Sequence, residues 1–246
     1  MSFITGSFTI LDSVDSTNNY AMAKAHAGMA KNGDSYFAVE QTAGKGQRGR
    51  QWQSGKDLNI ALSIVIEPQQ VKLLHQFHLS ALVALAGRDF FSRYAGDETT
   101  IKWPNDIYWR DRKAGGVLIE NVLRGNAWKW SIVGIGININ QSVFDSSLQN
   151  PVSLKQITGK EFEIIELARE LHQFVLGRIN AYSVENYDQI LNEYNSHLFR
   201  LNEKVKLKRE NMVFETQIKG VSAFGQLLTT DVMNNQFDFG EVEWVL

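Results

Sequence analysis

A glycine-rich basic stretch is the part of this sequence whose residue types are best suited to chemistry. Residues 41–52 contain three glycines together with the cations Lys45, Arg48 and Arg50. Glycine leaves the backbone uncovered and free to adopt positive φ angles, so the main chain can approach an anion closely while the side chains supply charge. The stretch predicts an anion-binding loop, with a surface loop of solvated cations as the alternative. Its spacing fits neither the dinucleotide-binding motif nor the Walker motif, which disfavours both folds.

Three further short motifs combine polar or cationic residues with glycine or proline. Residues 102–106 read Lys-Trp-Pro-Asn-Asp, in which proline fixes φ and the last two residues suit a tight turn. Residues 112–116 read Arg-Lys-Ala-Gly-Gly and follow at short range. Residues 134–138 read Gly-Ile-Gly-Ile-Asn inside a predicted strand. Glycine has no packing value there, so we expect a ligand or another backbone to come close.

In this combination and order, the four motifs resemble those of the biotin protein ligases. That family carries a G-[RK]-G-x-x-G-x-x-W loop, a K-W-P-N-D turn, a lysine in an R-K-x-x-G segment and a G-x-G-x-N strand. The match lies between Ser16 and Asn138, and the C-terminal segment fits as well. The resemblance implies an ATP-dependent ligase that activates biotin as biotinyl-5'-AMP and transfers it to a specific lysine of a biotin carboxyl carrier domain. ATP and biotin would be the substrates, with Mg²⁺ as the required metal.

The resemblance also assigns residues to a biotin pocket. Gln41 and residues 16–18 would bond the ureido group, while Trp52 and the glycines of the 134–138 strand would wall the ring. Capping of a helix is the alternative role for residues 16–18, and both roles can hold at once. The implied biotin-binding set is Ser16, Thr17, Asn18, Gln41, Gly44, Lys45, Trp52, Lys113, Gly134 and Gly136.

A second implied set faces the nucleotide. Joining biotin to an amine requires adenylation of its carboxylate, a poor electrophile, so carboxylate and triphosphate must be held together by cations and a divalent metal, expected to be Mg²⁺. No protein side chain is predicted to ligate a resident metal. The implied nucleotide-binding set is Lys45, Gln47, Arg48, Arg50, Trp103, Asn105, Lys113 and Asn138.

Three residues are assigned to the reaction itself. Lys113 would stabilise the charge that develops between the carboxylate and the α-phosphate, and Arg48 would clamp the intermediate. Asp106 would orient the incoming amine and take its proton. The alternatives are a solvated hairpin lysine for Lys113 and a simple turn former for Asp106.

The glycine-rich loop departs from the commoner family pattern at two positions. Lys45 and Gln47 stand where many bacterial relatives have arginine. A lysine is a point charge and a glutamine is neutral, so we expect fewer charged contacts to the intermediate, with Arg48 and Arg50 as the main cationic clamps.

Two other functions stay open at this point. A lipoate-attaching ligase shares the fold and the acyl-adenylate chemistry, but the glycine-rich loop and the K-W-P-N-D turn argue against it. A non-enzymatic biotin or nucleotide sensor would keep the binding residues and lose turnover. The presence of Lys113 and Asp106 argues against a sensor.

Composition and charge limit the other classes of function. The 246 residues are 43% hydrophobic and 21% charged, which is typical of a soluble globular protein with one sizeable core and a small appendage. A net charge of −2 favours neither nucleic acid nor an anionic membrane as partner. The absence of cysteine excludes disulfides and thiolate catalysis. His75 and His78 lie one helical turn apart, but no third ligand is evident, so solvated or packed histidines are favoured over a metal site.

The start of the chain adds further expectations. It lacks a basic segment followed by an apolar run, and no stretch of 18 apolar residues occurs, so we expect a cytoplasmic protein. The segment before the predicted catalytic region is too short to read DNA, which indicates the type of biotin protein ligase that lacks an N-terminal DNA-binding domain. The oligomeric state, monomer or homodimer, stays open.

Periodicity predicts helices and strands in an α+β protein. The resemblance implies that residues 1–198 form a mixed β-sheet with helices packed on it, the catalytic fold shared by biotin ligases and class II aminoacyl-tRNA synthetases, and that residues 199–246 form a small SH3-like β-barrel. A helix is expected from Ser16 or Thr17 to about Lys31, with Tyr20, Ala23, Ala27 and Ala30 on one face. Other helices are expected at 76–94, 164–182 and 184–197. Strands are expected at 8–11, 36–41, 58–67, 100–103, 107–109, 116–123, 128–140, 204–208, 214–221, 226–230 and 241–245.

Overall fold

A seven-stranded mixed sheet is the centre of the molecule. The structure is a computed structural model that describes residues 4–68, 71–125 and 127–245. In this sheet the order is β1-β2-β3-β7-β6-β5-β4; β1 and β2 are parallel, and all other neighbours are antiparallel. The strands are β1 (Phe8–Val14), β2 (Ser35–Gln41), β3 (Asn59–Ile66), β4 (Thr99–Lys102), β5 (Asp106–Trp109), β6 (Arg112–Arg124) and β7 (Ala127–Asn138).

All seven of these strands were predicted, with shifts at their ends. The strand β6 begins at Arg112 instead of residue 116, because residues 113 and 115 already pair with β5 across a bulge. The hairpin predicted at residues 124–126 joins β6 to β7, and its residue Asn126 lies outside the described part of the chain.

Side chains of β3 show that the two faces of the sheet pack against different helices. Ile60, Leu62 and Ile64 belong to the main core with α2 (Phe77–Ala95) and α4 (Ile164–Asn180), whereas Val65 packs with α1 (Thr17–His26) on the opposite face. A strand directs successive side chains to opposite faces, so a buried strand can serve both layers. The face that carries α1 also carries the candidate site. The remaining helices are α3 (Leu154–Thr158), which was not predicted, and α5 (Tyr187–Ser196).

The helix α1 differs from its prediction in length and orientation. It ends at His26 instead of about Lys31, and Gly28 follows with a φ of 70°. Ala21 and Ala25 form the buried face, while Ala23 and Ala27 of the predicted face are exposed. The N-terminal residues of the helix cause this rotation, because they are themselves buried against the sheet.

A second, five-stranded antiparallel sheet is formed by the C-terminal segment and is consistent with an SH3-like barrel. Its order is β11-β10-β9-β8-β12. The strand β11 was not predicted, since its sequence Asn-Asn-Gln-Phe is mostly polar. Gly225 and Gly240 have positive φ angles, as expected of tight corners. The strands are β8 (Lys204–Arg209), β9 (Met212–Val221), β10 (Leu227–Thr230), β11 (Asn234–Phe237) and β12 (Glu243–Val245).

The second sheet shares a core with the helices beside the first. Phe237 and Leu227 belong to one buried cluster with Leu82 of α2, Ile101 of β4 and Tyr194 of α5. The domain boundary predicted between residues 198 and 199 therefore stays a prediction. Within the described residues, no helix is long and apolar enough to cross a membrane.

Candidate active site

A cavity of about 530 Å³ lies on the α1 face of the large sheet and reaches the second sheet. Every predicted site residue except Gly44 lines it. The sequence motifs, which are far apart in the chain, are thus brought together around one space. We call the neutral hydroxyl and amide groups of the lining its neutral half and the cationic side chains its cationic half; apolar residues lie among both.

The neutral half is built at the N-terminus of α1. Thr17 donates both its backbone N–H (2.8 Å) and its hydroxyl (3.1 Å) to Gln41 Oε1. The Ser63 hydroxyl donates to Asn18 Oδ1 (2.6 Å) and lies 2.8 Å from Thr17 Oγ1. Ser16 is buried, but its side chain makes no capping hydrogen bond, so the capping alternative does not account for it. These groups form a fixed hydrogen-bonding pocket that suits a compact neutral head group.

Three glycines on two adjacent strands make room for this arrangement. A Cβ atom on Gly134 would lie 2.2 Å from Asn18 Oδ1, and one on Gly136 would lie 2.5 Å from the Trp52 ring. On β6, a Cβ atom on Gly116 would lie 3.1 Å from Asp106 Oδ1. The strand glycines therefore permit close approach, as predicted, and what approaches them is other side chains of the site.

The glycine-rich loop forms a short hairpin across the cavity. Lys45 pairs with Gln51, and the N–H of Trp52 donates to Gly44 O (2.9 Å). A Cβ atom on Gly44 would lie 2.4 Å from the Trp52 carbonyl oxygen, so this glycine supports the hairpin without lining the cavity. The N–H of Gly46 donates to Arg50 O (2.7 Å), so of the three glycine N–H groups predicted to be free for an anion, this one is not. The side chains are left to supply the positive charge.

Two side chains near the tip of the hairpin reach other elements. Gln47 Nε2 donates to the carbonyl oxygen of Val117 on β6 (3.3 Å). Arg48, which has a φ of 55°, places its guanidinium 4.0 Å from Glu243 Oε1 of the second sheet. The hairpin thus rests on both sheets.

Lys113 and Asp106 form the shortest ion pair in the cavity. They lie on the paired strands β6 and β5, and Lys113 Nζ is 2.7 Å from Asp106 Oδ1. A simple surface role does not fit either residue, because both side chains are about two thirds or more buried, with exposures of 33% and 25%. Both residues line the cavity.

Lys102 is the most buried cation of the cavity, with 8% of its surface exposed. Its ammonium donates to the Tyr108 hydroxyl (3.1 Å) and lies 5.4 Å from the centre of the Trp244 ring. Burial lowers the pKa of Lys102 to about 8, against the attraction of Asp106 and together with the repulsion of Lys113 and Arg50. Burial likewise raises the pKa of Tyr108.

The remaining residues that were predicted to bind the nucleotide also support the walls of the cavity. Asn105 exchanges hydrogen bonds with the backbone of Val117, and Asn138 donates from its side chain to Val152 O (3.1 Å). Trp103 donates from its indole to Gly225 O (2.8 Å) in the second sheet. Any contact of these residues with a nucleotide is additional to these structural bonds.

Several lining or supporting residues were missed from the sequence. Ser63 is a polar residue in the middle of a mainly apolar strand, and Tyr108 follows Asp106 by two positions on the same face of β5, so a local sequence pattern marked both. No local pattern marked the lining residues of the C-terminal segment, because they lie more than a hundred positions from the motifs. These are Phe239, Gly240, Val242, Glu243 and Trp244.

Of the two histidines that were predicted to be solvated or packed, His78 is packed and His75 is half-buried. His78 Nδ1 lies 2.7 Å from the Tyr182 hydroxyl, and its ring stacks on that of Tyr187. Burial lowers the pKa of His78 to about 4. In the part of the chain that the structure describes, no three His, Cys, Asp or Glu side chains are grouped as metal ligands.

Comparison with known proteins gives a consistent result. Residues 10–138 match the model of the biotin/lipoate A/B protein ligase family. The chain is 28% identical over 219 residues to the bifunctional ligase/repressor BirA of Escherichia coli, covering 88% of this chain and 66% of that protein, slightly under two thirds of its length. It is 34% identical over 157 residues to a biotin–[acetyl-CoA-carboxylase] ligase of Paracoccus denitrificans, covering 61% of this chain and 63% of that protein.

A solved structure supports the same assignment. The biotin protein ligase of Aquifex aeolicus, in complex with biotin and ATP, superposes with a TM-score of 0.81 at 26% identity, covering 96% of this chain and 97% of that one. The family match spans more than half of the sequence and includes all four motifs. The chain therefore belongs to the biotin/lipoate A/B protein ligase family.

Proposed function

We propose that this protein is a biotin protein ligase, which activates biotin with ATP and transfers it to one lysine of a biotin carboxyl carrier domain. The observation that carries the proposal is that one cavity brings together a neutral hydrogen-bonding pocket, several cationic side chains and the Lys113–Asp106 pair. A ureido ring needs donors and acceptors without charge, while a carboxylate and a triphosphate need cations. The complex of the Aquifex relative with biotin and ATP supports the same pair of substrates.

In the first step, a carboxylate oxygen of biotin attacks the α-phosphorus of ATP. A new O–P bond forms, the bond from the α-phosphorus to the bridging oxygen of the β-phosphate breaks, and pyrophosphate leaves. Lys113 neutralises the charge that builds up between the two anions, and Lys45, Arg48 and Arg50 hold the phosphates. Mg²⁺ enters as part of the MgATP substrate, since Mg²⁺ is usually held by substrate phosphates and only one or two carboxylates.

In the second step, the amine of the carrier lysine attacks the acyl carbon of biotinyl-5'-AMP. The new C–N bond replaces the C–O bond to the phosphate, and AMP leaves. A lysine with an ordinary pKa of about 10.4 arrives protonated at neutral pH, so its proton must be removed. Asp106 is placed to accept it, because its carboxylate lines the cavity beside Lys113.

One assay tests the proposal against its alternatives. The protein is incubated with MgATP and either biotin or lipoate, and both pyrophosphate release and labelling of a biotin carboxyl carrier domain are measured. We expect biotin-dependent pyrophosphate release and one labelled lysine. Equal use of lipoate would indicate a lipoate ligase, and biotin binding without pyrophosphate release would indicate a sensor.

A further inference from the structure

Glu120 is a carboxylate beside the candidate site to which the proposed reaction gives no role. It lies on β6, on the same face as Gly116 and Leu118, both of which line the cavity. Glu120 Oε2 accepts a hydrogen bond from Asn18 Nδ2 (2.8 Å), and Glu120 Oε1 lies 3.8 Å from Lys45 Nζ. One side chain therefore contacts both the neutral pocket and the base of the hairpin.

Asn18 depends on its neighbours for its orientation. It is 3% exposed, its Oδ1 accepts from Ser63, and its Nδ2 donates to Glu120 and, at 3.4 Å, to Leu118 O. A bond to a carboxylate is stronger than one to a neutral acceptor, so Glu120 is the firmest of the three restraints on the amide. Gly134 leaves the space that this orientation requires.

A carboxylate at this position opposes the binding of two anionic substrates. Like charges repel across a partly desolvated cavity, so Glu120 lowers the affinity for the carboxylate of biotin and for the phosphates unless it has a compensating role. Its side chain is 31% exposed and could have been neutral without leaving a buried group unpaired. The contacts of Glu120 with Asn18 and Lys45 indicate what its negative charge does.

We propose that Glu120 is a positioning residue that couples the head-group pocket to the hairpin, holding the Asn18 amide for biotin and restraining Lys45 at the hairpin base. The inference rests on the proposed function and deepens it. Because Asn18 and Lys45 share one carboxylate, a change at either residue alters the interaction of the other with Glu120. Binding of biotin to the pocket and placement of the hairpin are thereby linked, and linkage acts in both directions.

Two substitutions separate the two contacts. Glu120→Gln keeps an oxygen that can accept from Asn18 and removes the attraction for Lys45, whereas Glu120→Ala removes both. We expect Glu120→Ala to raise the Kd for biotin about tenfold and Glu120→Gln to raise it by less than about threefold. Biotin binding is measured alone by intrinsic tryptophan fluorescence, without ATP, and thermal unfolding confirms that the variants are folded.

A double-mutant cycle tests the coupling directly. Asn18→Ala and Lys45→Met are made singly and together, in the wild-type and Glu120→Gln backgrounds, and the Kd for biotin is measured for each. We expect the two effects to be non-additive by about threefold or more in the wild-type background and additive in the Glu120→Gln background.

The control is a carboxylate paired with a lysine away from the cavity. Glu215 lies 3.6 Å from Lys204 on the second sheet, and Glu215→Gln should leave the Kd for biotin unchanged. Additive effects of Asn18→Ala and Lys45→Met in the wild-type background, or an unchanged Kd in Glu120→Ala, would overturn the inference. If the wild-type protein does not bind biotin at all, the proposed function fails instead, so the two failures are distinguishable.

Discussion

Three cations of the candidate site lie opposite carboxylates of the protein itself. Lys113 faces Asp106 at 2.7 Å, Lys45 faces Glu120 at 3.8 Å, and Arg48 faces Glu243 at 4.0 Å. The last pair is about half exposed and contributes little to stability. The first is short and partly buried, so an anion that binds Lys113 must compete with Asp106. In the proposed reaction, these two residues carry the main roles of the two steps.

The first prediction separates the two steps at these residues. Lys113→Ala should slow formation of biotinyl-5'-AMP by about a hundredfold to a thousandfold, because a single donor to developing charge has that value. Asp106→Asn should spare adenylate formation and slow transfer to the carrier. Pyrophosphate release measures the first step, and transfer from presynthesised biotinyl-5'-AMP measures the second. Normal transfer by Asp106→Asn from that intermediate would rule out the base role.

The second prediction concerns the buried ammonium of Lys102. Its pKa is lowered to about 8, so it is mainly charged below pH 8 and loses its proton above that pH. An anionic substrate binds the charged form better, and the KM for MgATP should therefore rise by about threefold to tenfold between pH 7.5 and about 9.5. Lys102→Arg keeps its charge over this range and should flatten the profile. A profile that Lys102→Arg leaves unchanged would assign the titration to another group.

The elements that were located best were those with a clear composition or period. The strand β3 is a nearly continuous apolar run rich in Ile, Leu and Val, and α2 presents apolar residues at helical spacing, so both were located within one or two residues. The face of α1 was wrong because its alanines give almost no contrast between faces; the buried polar residues at its first turn determine the rotation. The strand β11 was missed because its pairing with β10, not its composition, makes it a strand.

The third prediction tests the floor of the cavity on β7. In Gly134→Ala the new Cβ atom would lie 2.2 Å from Asn18 Oδ1, so the asparagine must move. We expect the KM for biotin to rise about tenfold and the free energy of unfolding to fall by about 1–3 kcal/mol. Gly177→Ala in α4 is the matched control, since nothing lies within 4 Å of its Cβ position. It should be neutral or slightly stabilising. Equal effects of the two variants would contradict the role of Gly134.

The fourth prediction concerns the hairpin as a lid over the intermediate. Gln47 makes a neutral bond to Val117 O, and Arg48 points toward the second sheet. Replacing a neutral contact by a charged one gains about 1.5 kcal/mol, so Gln47→Arg should slow the escape of biotinyl-5'-AMP about tenfold, while Arg48→Ala should speed it. The dissociation rate of preformed intermediate is followed by tryptophan fluorescence. If Gln47→Arg leaves the rate unchanged while Arg48→Ala raises it, Gln47 does not contribute to retention.

At the scale of the whole molecule, the two sheets are joined through one buried cluster and through the cavity wall. Trp103 bonds to Gly225 O and its ring lies 6.2 Å from that of Phe239, so the K-W-P-N-D turn is held by the second sheet. The motifs predicted which residues meet in the cavity. They could not predict Glu243 or Trp244, because contacts between distant segments depend on how the sheets pack and leave no local pattern.

The fifth prediction follows from that shared cluster. Leu227 is fully buried in it, and Leu227→Ala should lower the free energy of unfolding by about 2–5 kcal/mol. The loss of stability should affect both sheets together. Thermal unfolding, followed by tryptophan fluorescence and by loss of biotin binding, should therefore show one coincident transition. Separate melting of the C-terminal sheet, with biotin binding retained, would show that residues 199–246 form an independent unit.

Gly116, Gly134 and Gly136 form the floor of the cavity, and this floor limits how the fold can change over evolutionary time. Gly116 and Gly136 are direct partners across β6 and β7, and Gly134 pairs with the next residue on the same face, Leu118. Each of the three glycines accommodates a different side chain of the site, so even a methyl group there is felt by a residue on another element. Substitution at Gly134 and Gly136 is therefore strongly restricted, whereas Phe144 and Leu148 border the same cavity from a loop and have no role in the proposed reaction. New substrate preferences in this architecture should arise by substitutions in that loop, while the strand glycines stay unchanged.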